Sequence, residues 1–271
     1  MAGVTRRQPN ARLPAPITGA GILGLAALVA PLVALAWAAP WGRIWALLTA
    51  PSAVSALWLS LSAAALATLC ALVLGVPLAA VLASDAIRPT RLVRLLIVVP
   101  MVMPPVVIGT ALLTLFGRRG LLGRYLDAWF DWTPTYTFAA VVIAQVVVAM
   151  PFLVVSVEAA LRSRNIEAEE AAYTLGAGRT TTFWHVTLPE IRAGIGAGAV
   201  MCFARALGEF GATVTFAGNV EGVTQTMPLA IFLALQRDDE AAIAMAVGLV
   251  LLSVLVLVGM RGRWLPAVTG S

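Results

Sequence analysis

Six long apolar runs dominate this chain, at residues 17–39, 56–82, 95–116, 138–157, 191–216 and 241–260. A helix needs roughly 20 such residues to cross a hydrocarbon core about 30 Å thick, and each run supplies them. The pattern predicts an all-α, polytopic membrane protein with six transmembrane helices. A seventh apolar run, 227–236, is too short to span and predicts an interfacial or re-entrant helix. Arg6, Arg7 and Arg12 ahead of the first run, with Ala36-Trp37-Ala38 near its end, resemble a cleaved secretion signal. The 23 residues of that run exceed the roughly 7–15 of a signal's apolar segment, so it is expected to remain as a span.

Composition narrows the class. Of 271 residues, 61% are hydrophobic and 11% charged, whereas a soluble domain carries about 25% charged residues. The apolar runs leave no room for a soluble domain. All 18 basic residues are arginine. A phosphate-binding P-loop needs a lysine, so the chain cannot carry its own. Any ATP-driven role then requires a separate subunit. Cys70 and Cys202 lie inside apolar runs and do not suggest a disulfide framework. The lone His185 has no Cys, His or carboxylate cluster around it, so it reads as a surface residue and no metal site is expected. No catalytic constellation is apparent either, which disfavours an intramembrane enzyme.

Arginine placement sets the orientation. With the N-terminus in the cytoplasm, twelve arginines fall on inner segments, five on outer segments, and Arg205 lies within a span. Both termini are then cytoplasmic. Arg118, Arg119 and Arg124, on one outer loop, run against the bias and are partly balanced by Asp127 and Asp131. The chain divides into a cytoplasmic tail (1–16), a six-span domain (17–260) with a cytoplasmic loop at about 159–190, and a second tail (261–271).

That loop is a polar island. Asn165 is a good N-cap, and Glu167, Glu169 and Glu170 place negative charge where a helix dipole favours it. Gly176 can take the left-handed conformation that ends a helix. A second short helix, about 181–188, is expected before Pro189. Two rigid helices joined at a glycine would make a compact knob.

Charge inside a span is costly, so Arg205 and Glu209 need a reason. Four apart on the fifth run, they share a helix face and can pair, either lining a path or locking helices together. The third run holds Pro100, Pro104, Pro105 and Gly109, which kink a helix and free backbone groups that a cavity or neighbours must satisfy. Gly194 and Gly198 form a small-residue spacing that allows close helix approach.

The loop's spacing is specific: Glu170-Ala171-Ala172, three residues, Gly176, nine residues, Val186, one residue, Leu188-Pro189. It resembles the EAA loop of the permease subunits of ATP-binding-cassette importers, with Val186 in place of Ile. The stretch Phe203-Ala-Arg-Ala-Leu-Gly-Glu-Phe-Gly-Ala-Thr-Val-Thr-Phe-Ala-Gly-Asn219, then Thr224-Gln-Thr-Met-Pro228, is similar to the molybdate branch of that family and less closely to sulfate permeases. The prolines of the third run and the segment at 117–123 are similar to the same branch. The resemblance covers about 55–260.

It implies a type I importer permease fold and no covalent chemistry by this chain. It also implies that Glu170, Ala171, Ala172, Gly176, Leu188 and Pro189 engage an ATPase as a coupling helix. Candidate path or gate residues are Pro104, Pro105, Gly109, Arg205, Glu209 and Thr213. The implied assembly is a homodimer of this chain in a bacterial plasma membrane, with two ATPase subunits inside and an oxyanion-binding protein outside. No cofactor of its own and no nucleic acid are expected; ATP would belong to the partner subunit. Sulfate, thiosulfate and tungstate remain alternative cargoes. An autonomous secondary transporter is a more distant alternative, for which no inverted repeat is obvious.

Overall fold

The computed structural model describes residues 14–84 and 90–264. Most of both tails lies outside the described residues, as do Arg6, Arg7, Arg12 and Arg88 of the orientation argument. Every regular element among the described residues is helical. In chain order they are α1 (Ala15–Ala38), α2 (Ile44–Leu48), α3 (Pro51–Ala83), α4 (Thr90–Val102), α5 (Pro105–Phe116), α6 (Gly123–Phe130) and α7 (Phe138–Arg162). There follow α8 (Ile166–Thr174), α9 (Arg179–Thr182), a π-turn (Phe183–Thr187), α10 (Leu188–Glu190), α11 (Arg192–Leu207), α12 (Gly211–Phe216), α13 (Met227–Ala234) and α14 (Asp239–Trp264).

Four of the predicted spans appear as long apolar helices: Ala15–Ala38, Pro51–Ala83, Phe138–Arg162 and Asp239–Val256. The other two differ from expectation. The third run is not one kinked helix but two, α4 and α5, meeting at 114°. The cause is the Pro104-Pro105 pair. A residue before proline is pushed out of the helical region, and Pro104 accordingly has ψ 130°, while Pro105 starts α5 in the first turn, where a missing N–H costs nothing.

The fifth run is also interrupted. α11 ends at Gly208 and α12 restarts at Gly211, so 191–216 is not a continuous helix. The sixteen residues of α11 rise about 24 Å, short of a full crossing. A second bend, of 67°, separates Arg179–Glu190 from α11. The run at 227–236 forms the short α13, with Met227 and Leu229 buried against α3 and α14. It packs on the bundle, and the Met227 amide donates to Ser60 Oγ of α3 at 2.6 Å.

The core is a three-helix seam of α3, α7 and α11. Along α3 a stripe of small residues, including Ala63, Ala64, Ala67, Ala71 and Ala79, is fully buried. Leu153 and Val154 of α7 fill the space opposite, 3.2 Å from where a Cβ on Gly75 would lie. α11 packs on α7 through its glycines: a Cβ on Gly194 would collide with Ala160, and one on Gly198 would sit 3.0 Å from Leu153 and Ser156. Ser156 Oγ donates to the Gly194 carbonyl at 3.0 Å, closing the contact. Between helices in lipid, such close approach and added hydrogen bonding carry the association. α1 touches α14 but buries none of its residues.

Overpacking this seam is expected to cost about 1–3 kcal/mol. Gly194→Val should lower the thermal stability of the detergent-solubilised protein. Gly196→Val is the control, because a Cβ there meets nothing within 4 Å. Equal melting of the two variants would contradict this account of the α7–α11 contact.

Candidate functional site

The cytoplasm-facing loop expected from the sequence is a folded knob. Asn165 caps α8, its side chain accepting from the Glu167 amide at 3.0 Å. The helix ends in a Schellman motif: Gly176 has φ +87°, its N–H bonds the Tyr173 carbonyl, and the Ala177 N–H bonds the Ala172 carbonyl. After Gly178 the chain turns into a second helical segment. Expected over 181–188, this segment runs from Arg179 to Glu190 with a π-turn inside it.

Two polar ties lock the halves together. The Asn165 amide donates to Glu190 Oε1 at 2.6 Å. Arg164 forks onto Glu169 at 2.7 and 3.2 Å, and the Thr187 hydroxyl donates to the same carboxylate at 2.5 Å. Glu169 is therefore not a surface charge tuned only to a helix dipole. It is buried, and the Arg164 hydrogen bond, aided by Thr187, holds its carboxyl below the ordinary 4.5 despite burial. The same bond raises the pKa of Arg164.

The motif residues divide by position. Glu170, Ala171 and Gly176 are exposed, Ala172 is half-buried, and Leu188 turns inward toward α3 while Pro189 stays exposed. The knob also presents apolar side chains that the motif does not mark: Ile166, Tyr173 and Leu175, the last 88% exposed. Their signal was available, since a leucine in a polar island has nothing local to cover it.

The path candidates gather at the chain break after α11. The Arg205 guanidinium pairs with Glu209 Oε2 at 2.7 Å, as expected, but not along one helix face. Glu209 lies beyond the end of α11, and its other oxygen accepts the Ala212 amide at 2.8 Å. One carboxylate thus closes α11 and starts α12. Glu209 is 1% exposed; Arg205, at 29%, reaches the surface. α12 lies against α5: a Cβ on Gly211 would be 2.8 Å from Pro105, and one on Gly109 would be 2.6 Å from Thr215 and 2.9 Å from the Ala212 carbonyl. Pro104 is exposed at the α4–α5 corner, whereas Gly109 and Thr213 are buried in the packing. The structure therefore brings all six candidates to one region, with Pro104 exposed, Pro105 and Arg205 half-buried and the other three buried.

Two features escaped the sequence. Arg94 of α4 and Arg162 of α7 both donate to Glu158, at 2.7 and 3.0 Å, and both reach the Leu82 carbonyl near the end of α3. This clamp ties three helix ends beside the knob. Gln145 of α7 is fully buried, and neither amide atom has a hydrogen-bond partner among the described residues; the Thr213 hydroxyl is alike. Such groups are rare in ordinary interiors. Among the described residues no group of three His, Cys, Asp or Glu side chains gathers as a metal site.

Known proteins resemble the chain in sequence and fold. Residues 71–263 match the family described as binding-protein-dependent transport system inner membrane component. The chain belongs to that family and is a multi-pass permease component of an importer, not itself a catalyst. Within the family it is similar to the molybdenum transport system permease protein of Mycobacterium tuberculosis, with 47% identity over 94% of this chain and 96% of the relative. The corresponding protein of Haemophilus influenzae is 39% identical over 78% and 93%. A sulfate transport system permease protein of Salmonella typhimurium is 36% identical over 87% and 83%. In fold, the chain is similar to a bacterial ABC transporter that imports the acidic polysaccharide alginate (TM-score 0.70, 18% identity, 92% of each chain). A methionine ABC transporter in an inward-facing conformation is also similar (TM-score 0.60, 78% of this chain and 94% of that one). The all-α importer permease fold follows.

Because Glu169 titrates lower folded than unfolded, its contribution is full above pH 4.5 and is lost as pH falls through the folded value. Limited proteolysis of the loop should accelerate as the pH falls below 4.5. Glu169→Gln should make the loop labile at neutral pH and flatten that dependence; an unchanged profile would refute the tie. Removing the Glu209 carboxylate by Glu209→Ala strands a half-buried guanidinium and the Ala212 amide. The expected loss is about 3 kcal/mol, measured by thermal unfolding. Glu209→Gln, which keeps an acceptor, should lose less.

Proposed function

We infer that this chain is the conduit of an ATP-driven importer that carries molybdate into the cytoplasm. The observation that carries the cargo is the 47% identity, over 94% of the chain, to a molybdenum transport permease. Sulfate, thiosulfate and tungstate form a second reading, favoured by the sulfate permease relative. All are tetrahedral oxyanions, so the path need only pass the shape that an extracytoplasmic binding protein selects.

The assembly is two copies of this chain, two ATPase subunits and one binding protein in a bacterial plasma membrane. The absence of lysine supports a separate ATPase, and α1, uncovered by its own chain, is available to a second copy. The arginine bias supports cytoplasmic termini and a cytoplasmic knob. The chain holds no cofactor, and ATP stays with its partner.

The knob is the mechanical part. Glu170, Ala171 and Gly176, with exposed Tyr173 and Leu175, dock on the ATPase, and Ala172 allows close approach. When ATP draws the ATPases together, the knob moves as one body because Glu169 and Glu190 tie its halves. Leu188 and Pro189 pass that movement through the bend at Ile191 to α11. The far end of α11 carries Arg205 and Glu209, so displacement there reaches the α5–α12 contact at Pro104, Pro105, Gly109 and Thr213, which acts as the gate. Arg205 attracts an anion, and Glu209 limits how tightly it is held. The binding stays weak enough to release.

A left-handed φ costs a β-branched residue about 1–2 kcal/mol or more, so Gly176→Val should distort the knob. Molybdate uptake and cargo-stimulated ATP hydrolysis should fall while membrane insertion persists. Unchanged uptake would end the coupling assignment. In vesicles holding the whole complex, labelled molybdate uptake should be competed by tungstate more than by sulfate. Sulfate uptake without molybdate uptake would overturn the cargo assignment and leave the permease fold intact.

A further inference from the structure

A cleft of about 690 Å³ opens between α3 and the second half of the knob. Val76 and Pro77 form one wall, Trp184 and Leu188 the other, and Ile195 of α11 its floor. That volume is in the range of about 300–1,000 Å³ typical of small-molecule sites. The wall is almost wholly apolar, and Arg192 is its one charged lining residue. A second cavity of about 330 Å³ adjoins it, sharing Ala80 and Phe183, and is less apolar, with Arg164, Arg179, Glu169 and Tyr173 in its lining. Arg164 is committed to Glu169. Arg179 and Arg192 form no ion pair among the described residues.

The cleft lies where a spanning helix meets the polar knob, so its apolar part faces hydrocarbon depth and its cations the headgroup layer. Trp184, 59% exposed, is the residue type enriched at that boundary. A soluble ligand does not suit a wall with so little polarity, and apolar protein surface alone does not account for two unpaired arginines flanking it. We propose that the cleft binds one anionic phospholipid, an acyl chain against Val76, Pro77 and Ile195 and the phosphate between Arg179 and Arg192. The lipid then fills the gap between α3 and the moving knob, which makes coupling sensitive to anionic lipid. The site depends on the membrane-spanning fold and not on which oxyanion is carried.

The test uses the purified whole complex in vesicles of phosphatidylcholine with or without phosphatidylglycerol. Native mass spectrometry after gentle detergent extraction should find phosphatidylglycerol retained in preference to phosphatidylcholine. Each headgroup contact with a basic residue contributes about 1 kcal/mol, so Arg179→Gln with Arg192→Gln should weaken retention about thirty-fold. Val76→Trp, which fills the cleft without touching charge, should abolish it. A photoreactive residue at Val73, on the cleft wall, should label lipid. Retention unchanged in both variants overturns the proposal, as does no preference between the lipids. Labelling of the second permease copy in place of lipid does so as well. Because none of these readouts involves cargo, failure of the molybdate assignment would not be mistaken for failure of this one.

Discussion

Helices already surrounded by hydrocarbon gain little by burying apolar side chains against each other, so this bundle must be held by close contact and internal polar pairing. The seam of α3, α7 and α11 shows how. Alanines and glycines remove side-chain bulk, backbones approach, and the small groups that remain, such as Ser156, bond across the gap. Everything functional hangs from this seam. It carries the knob at one end of α11 and the Arg205–Glu209 pair at the other, and gives the two a single rigid connection.

The same constraint explains the breaks. An interrupted helix in lipid exposes backbone groups that nothing outside can satisfy, so it survives only where the protein supplies partners. Glu209 supplies them after α11, accepting the Ala212 amide with one oxygen and Arg205 with the other. Ser60 does so for the Met227 amide that starts α13. At the α4–α5 corner the proline pair lacks the donors that would otherwise be stranded. Each break lets a helix end, a charge or a polar side chain sit at membrane depth. The amide of Gln145 and the hydroxyl of Thr213 are buried without a hydrogen-bond partner among the described residues.

Much of this was legible in the chain. Long apolar runs marked four spans within a few residues, and the polar island with its N-cap and glycine marked the knob. The spacing of the loop residues also carried the family. What failed were continuity and depth. The runs 95–116 and 191–216 are both largely apolar, and hydropathy does not register that Pro104-Pro105 turns a chain by 114° or that Gly208 ends a helix. Glu169 looked like one of three first-turn acids. Only the fold set Arg164 and Thr187 around it and made it the tie between the halves.

By itself the sequence determined that the chain is built for lipid, roughly how many apolar spans it has, and which polar segment between them folds as a knob. Those properties depend on hydropathy, charge bias and short-range spacing, and all three are linear in the chain. The tertiary structure decided which polar residues are buried, which small residues touch and where the helices stop. These depend on partners far apart in sequence: Arg94 and Arg162 meet Glu158, Gly211 meets Pro105, and Glu190 meets Asn165. A one-dimensional pattern records the residue and not its partner, so the close α5–α12 contact and the ties inside the knob became visible only when the helices were packed.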